Sequence, residues 1–117
     1  MMITRRRYLL TYLPTYLGGR PFRLHQALSG LHCGGRLWES GLTLTRFLEQ
    51  ERGISLRSFK GQRILELGAG LGACGLVCAI AGQCQEIVLT DQAEVLPHLK
   101  KNVRLLDSKS ITPHIYE

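Results

Sequence analysis

No acidic residue occurs among the first 38 positions, no apolar run approaches the roughly 20 residues needed to span a bilayer, and no two cysteines form a C-x-x-C pair. Each absence excludes something. Without a spanning run, a transmembrane helix is not expected and the chain reads as soluble, with no membrane partner. Cys33, Cys74, Cys78 and Cys84 lack zinc spacing, so no metal site is assigned, and Cys74 and Cys78, four apart on an expected helix, read as small core hydrophobes. Thiols of that kind belong to a reducing compartment. The expected location is the cytoplasm, with the nucleus as an extension. Met1 to Leu17 is basic and then apolar, but Thr11 and Pro14 break its apolar runs, which disfavours a secretory signal. An Arg-rich, acid-free start also suits a mitochondrial transit peptide, although its scarcity of serine counts against that reading.

The charge that is present is unevenly placed. Arg5, Arg6, Arg7, Arg20, Arg23 and Arg36 lie in the acid-free segment, whereas residues 39–117 carry nine basic and nine acidic residues. The net charge of +6 therefore belongs to the amino-terminal arm. Such an arm could meet nucleic acid, but the sequence holds no aromatic RNA-stacking platform and no Asn-Pro-Pro-Tyr-type motif, so a solvated leader is the favoured reading. At 117 residues one domain is available, divided into a weakly structured basic leader over 1–36 and a ligand-binding unit over 37–117. Gly18-Gly19, Pro21, Gly30 and Gly34-Gly35 punctuate the leader, which predicts short strands and loops.

From Trp38 the pattern is regular. Leu42, Thr45 and Leu48 continue a helical spacing through Glu51, with Gly53 as its stop. Arg63 to Leu67 reads as a strand, Ala73 to Ala81 as a small-residue helix ended by Gly82, and Glu86 to Thr90 as a second strand. A helix from about Val95 to Leu106 follows, with Pro97 in its first turn, and Ile111 to Ile115 begins a third strand. Strand, glycine loop, helix and strand make a βαβ unit, whose ligands sit beyond the carboxyl ends of parallel strands. The glycine loop and Asp91 both fall at such ends.

The loop has two readings. Gly70-x-Gly72-x-x-Gly75 satisfies a dinucleotide pattern, the basis for a nicotinamide-dependent oxidoreductase. Glu66-x-Gly68-x-Gly70-x-Gly72 instead places a carboxylate at the end of the first strand. A pyrophosphate at the helix N-terminus would be repelled by Glu66, whereas the ammonium and sulfonium of S-adenosylmethionine would be attracted. Glu66 therefore favours the sulfonium cofactor. Asp91 stands 21 positions after Gly70, the register of an acid that bonds ribose hydroxyls; the alternative is a helix cap.

Gly35-Arg36-Leu37-Trp38-Glu39-Ser40-Gly41, Ile64 to Gly72, Thr90-Asp91 and Leu96 to Val103 together resemble the methyltransferase-like 21 group of family 16 seven-strand protein-lysine methyltransferases, over roughly residues 34–105. The resemblance implies an α/β fold of the Rossmann-like class I methyltransferase type. It also implies S-adenosylmethionine as cofactor and a lysine-bearing protein substrate such as a chaperone, ATPase or translation factor. It assigns Trp38 to an aromatic closing over the cofactor, Glu66, Gly68, Ala69, Gly70 and Gly72 to the methionine-side loop, and Asp91 to the ribose clamp. For Trp38 the alternative is core packing. The family's acidic-x-x-aromatic motif, which follows a fourth strand, has no counterpart before Glu117, so no catalytic or acceptor-binding residue is assigned. The expectation is an amino-terminal half with an incomplete parallel sheet, truncated before the acceptor site. A catalytically inactive short form acting through partner binding is the alternative.

Overall fold

The computed structural model describes residues 8–17, 20–27, 33–49, 59–81, 83–105 and 113–117. Its parallel sheet follows from three short apolar segments separated by helices: β3 (Arg63–Glu66), β4 (Glu86–Thr90) and β5 (His114–Tyr116) pair side by side in that order. Ile64 lies against Ile87 and Glu66 against Leu89, while Leu89 lies against Ile115 on the other side. Helix α2 (Ala73–Ala81) connects β3 to β4, and α3 (Leu96–Leu105) lies between β4 and β5 in the chain. Sequence and structure agree on α2 and β4 residue for residue; β3 stops one residue early and α3 starts at Leu96. Glu51, Gly53, Gly82, Leu106 and Ile111, where ends were expected, lie outside the described residues.

Burial alternates along the strands because successive side chains point to opposite faces. Ile87 and Leu89 are fully buried under the helices, and register places Ile64 and Glu66 on their side. Arg63, Leu65, Val88 and Tyr116 occupy the other face, where Leu65 is 61% exposed and Tyr116 58%. Among the described residues no helix covers that face, although parallel sheets are ordinarily covered on both. Helix α1 (Glu39–Glu49), with Glu39 in its first turn, packs on α2 and buries Thr45 and Leu48.

Ahead of α1 stand β1 (Tyr8–Leu17) and β2 (Arg20–Ala27), an antiparallel hairpin followed by a 3₁₀ turn at Cys33–Gly35. Its register shifts between Leu13 and Tyr16, which accommodates Pro14, a residue unable to donate to a ladder. These strands are longer than the short ones expected. Leu24 is fully buried in the common core, and β2 packs on α3. The expected boundary at residue 36 therefore does not separate a leader from a domain: β2 belongs to the packed unit.

Candidate functional site

The loop after β3 is held by bonds that its own sequence supplies. Ala69 donates its N–H to the Thr90 carbonyl at 2.8 Å, and the Thr90 hydroxyl donates to the Glu66 carbonyl at 3.0 Å, which locks the loop to the end of β4. Gly68, Gly70 and Gly72 all take positive φ. At Gly72 the need for glycine is double, since φ is 85° and an added Cβ would sit 2.7 Å from Leu99 Cδ1. Leu76 then donates to the Gly72 carbonyl at 2.8 Å, opening α2. Within α2, a Cβ on Gly75 would collide with Leu89 and Glu66 Oε2, so this glycine brings the helix down onto the sheet.

Asp91 ends β4 with its carboxylate turned to the loop. Oδ2 accepts the Gly70 N–H and Oδ1 the Gln92 N–H, both at 2.7 Å, while the Asp91 N–H donates to the Tyr116 carbonyl at 3.3 Å. Neither bond to the carboxylate comes from α3, which begins at Leu96, so the helix-cap alternative is not what this side chain does here. Each oxygen keeps acceptor capacity for a hydroxyl.

Glu66 is treated differently. Its Oε2 is buried without a hydrogen-bond partner. Burial pushes the carboxyl up to about 7, against the pull of the Gly75 backbone N–H and with a smaller upward contribution from the charge of Asp91.

Trp38, Glu66, Gly68, Ala69, Gly70 and Asp91 line one cavity of about 570 Å³, a volume in the range of small-molecule sites. Gly72 does not line it; its place is the packing beneath, against Leu99 and Leu76. Trp38 is 52% exposed, so it is not a core residue. Reasoning from sequence missed Arg36, Ser40 and Gln92, which also line the cavity, and Gly34, whose carbonyl lies 3.6 Å from where a Gly70 Cβ would be. Arg36 and Ser40 flank the quoted tryptophan and Gln92 follows Asp91, but only the folded chain brings those three stretches together. Cys74 reaches the same wall with its thiol donating to the Gly41 carbonyl at 3.4 Å, and burial holds that thiol protonated.

Residues 19–116, a range that includes all of β2 and reaches the end of β5, match the family described as lysine methyltransferase. The chain belongs to that lysine methyltransferase family. It is 34% identical over 87 residues to Protein N-lysine methyltransferase METTL21A of Danio rerio, covering 74% of this chain and 37% of that protein. To EEF1A lysine methyltransferase 3 of Xenopus tropicalis it is 30% identical over 87 residues, 74% of this chain and 36% of the relative. Calmodulin-lysine N-methyltransferase of Arabidopsis thaliana is 34% identical over 76 residues, 64% of this chain and 23% of the relative. The chain thus spans little more than a third of the length of the first two relatives. Membership in the lysine methyltransferase family agrees with the α/β fold and implies a methyl donor; it leaves no support for the oxidoreductase reading of Gly70-x-Gly72-x-x-Gly75.

Proposed function

We propose that this chain supplies the S-adenosylmethionine-binding part of a protein-lysine N-methyltransferase. The observation that carries the reading is Glu66: a partnerless carboxylate oxygen, buried at the end of β3, beside a cavity shared with Trp38 and Asp91. A buried carboxylate of this kind wants a cation. Open space where a Gly68 side chain would stand also suits a ligand lying close to the backbone.

In this reading Glu66 faces the ammonium end of the donor, Asp91 accepts its ribose hydroxyls while holding Gly70, and Trp38 closes the wall opposite the glycine loop. Arg36 brings a cation to the cavity for the donor's carboxylate. When bound, the donor supplies a methyl group already activated by its sulfonium. The chain's own contribution is to fix that group's position, since transfer requires alignment of a neutral lysine amine about 3 to 3.5 Å from the reacting carbon. No described residue is assigned to the amine. The acceptor is proposed to be a protein lysine, consistent with the names of the relatives. The unpaired thiols of Cys74, Cys78 and Cys84 suit the cytoplasm as the proposed compartment.

Calorimetry of the chain with S-adenosylmethionine, its thioether product and NAD tests the reading: the donor and its product should bind more tightly than NAD, and tighter binding of NAD would overturn it. A second reading, partner binding without turnover, is favoured by the uncovered sheet face at Leu65. Radiolabelled methyl transfer to cell-extract proteins separates the two.

A further inference from the structure

Asn102 is a buried polar side chain at the meeting point of three elements. Its Oδ1 accepts the His25 N–H at 2.7 Å, and its Nδ2 donates to the carbonyls of His25 at 3.1 Å and Leu71 at 3.0 Å. The orientation of the amide is fixed by its partners, because only an acceptor can face the N–H and only a donor the two carbonyls. The carboxamide therefore mimics a peptide group along the outer edge of β2 and spends its second N–H on the glycine loop. One residue further along β2, Gln26 Oε1 accepts the Leu37 N–H at 2.8 Å.

Leu71 and Leu37 both line the cavity, on the glycine-loop wall and the tryptophan wall respectively, whereas His25, Gln26 and Asn102 do not. Two consecutive residues of one strand thus reach both walls. An apolar side chain at this depth would leave the His25 N–H and carbonyl and the Leu71 carbonyl without this partner, so the amide is what ties strand to loop.

We propose that the β1–β2 hairpin positions the two walls of the donor cavity relative to each other, through Asn102 to the glycine loop and through Gln26 to the Arg36–Trp38 segment. The proposal rests on the reading of this cavity as the donor site. Donor affinity should then depend on a hairpin that never touches the donor, and Gln26 and Asn102 are positioning residues.

The test uses the full 117-residue chain and three variants. Gln26→Met keeps the volume and removes the acceptor; Gln26→Glu keeps an acceptor oxygen; Asn102→Leu removes all three bonds. Binding of S-adenosylhomocysteine is read by calorimetry, and backbone opening by hydrogen–deuterium exchange over residues 36–38 and 69–72. Gln26→Met should weaken binding about fivefold, the worth of one hydrogen bond, and speed exchange at Leu37, while Gln26→Glu stays within about twofold of the parent. Asn102→Leu should speed exchange across 69–72; if it fails to fold, the two Gln26 variants decide. Equal losses in the Met and Glu variants, or unchanged affinity in both, would overturn the proposal. Should the parent bind no donor, the donor reading fails by itself, and exchange at Leu37 alone then decides: unchanged in Gln26→Met, it sinks the positioning role as well.

Discussion

The carboxyl ends of β3 and β4 lie side by side, and each ends in an acid, yet the two acids are held in opposite ways. Asp91 is engaged by the Gly70 and Gln92 amides and fastens the glycine loop to the sheet. Glu66, one strand over, has a buried oxygen with no hydrogen bond of ordinary geometry, and only the Gly75 N–H draws on its carboxyl. The difference separates construction from burial: one carboxylate is bonded into the loop, whereas the other is packed under α2 beside Gly75 and Leu89. From sequence both looked like ligand-binding acids at strand ends.

The comparison is broken most forcefully at Gly72, which sets the path of the loop that joins the two ends. Gly72→Ala should destabilise the chain by about 2 to 4 kcal/mol, because a strained positive φ and an overpacked contact with Leu99 add together. Urea denaturation would show it, and a midpoint within experimental error of the parent would mean that the loop path is not fixed there. Asp91→Ala comes next, at about 1.5 to 3 kcal/mol for charge-assisted bonds to the loop amides, accompanied by weaker donor binding. Loss of binding with unchanged stability would make Asp91 a pure ligand contact.

Glu66→Gln should act with the opposite sign on stability. The folded carboxyl titrates at about 7 instead of 4.5, so between those values the folded chain holds a proton that the unfolded chain has released. Stability contributed at this position therefore falls as pH rises from about 4.5 to about 7, by on the order of 3 kcal/mol, and is flat above. Glu66→Gln should abolish that slope and raise the melting temperature near pH 8, while weakening binding of the cationic donor. In the parent, donor affinity should drop when calorimetry is repeated at pH 6 instead of pH 8, since binding must then expel the Glu66 proton. Affinity that rises on acidification would reverse the assignment of Glu66. The smallest effect belongs to the far ends of the same strands, where Arg63 donates to Glu86 at 2.7 Å on an exposed surface. Arg63→Ala should move stability by no more than about 0.5 kcal/mol, and a larger loss in thermal melts would show that the amino ends of β3 and β4 matter as much as their carboxyl ends.

The run from β3 to α3 was legible because its apolar segments are short, regular and bounded by glycines or Pro97, so local pattern and tertiary fold agree. The hairpin was not. Pro14 interrupts the alternation of β1 at the very place where the ladder shifts, and Gly18-Gly19 reads as one more break among the glycines of the first 36 residues. In the site, Glu66, Gly68, Gly70 and Asp91 could be named in advance because the loop is local. Gly75 stood in the glycine pattern, but its role is set by how closely α2 approaches Leu89, and Asn102 is defined by a bond to a strand 77 residues away. Trp38 was visible as a residue, but its exposure, which sets it apart from core packing, depends on how α1 packs on α2.

The uncovered sheet face has a consequence for handling the protein in solution. Leu65 on β3 and Tyr116 on β5 stand exposed on the same face, and the outer side of β3 pairs with no strand among the described residues. Unpaired strand amides next to apolar surface are a template on which other strands can add. Self-association of this kind grows with concentration and competes with every equilibrium measured on the chain. Light scattering and dye binding should therefore rise steeply with protein concentration, and Leu65→Lys, at a residue that does not line the cavity, should flatten that rise.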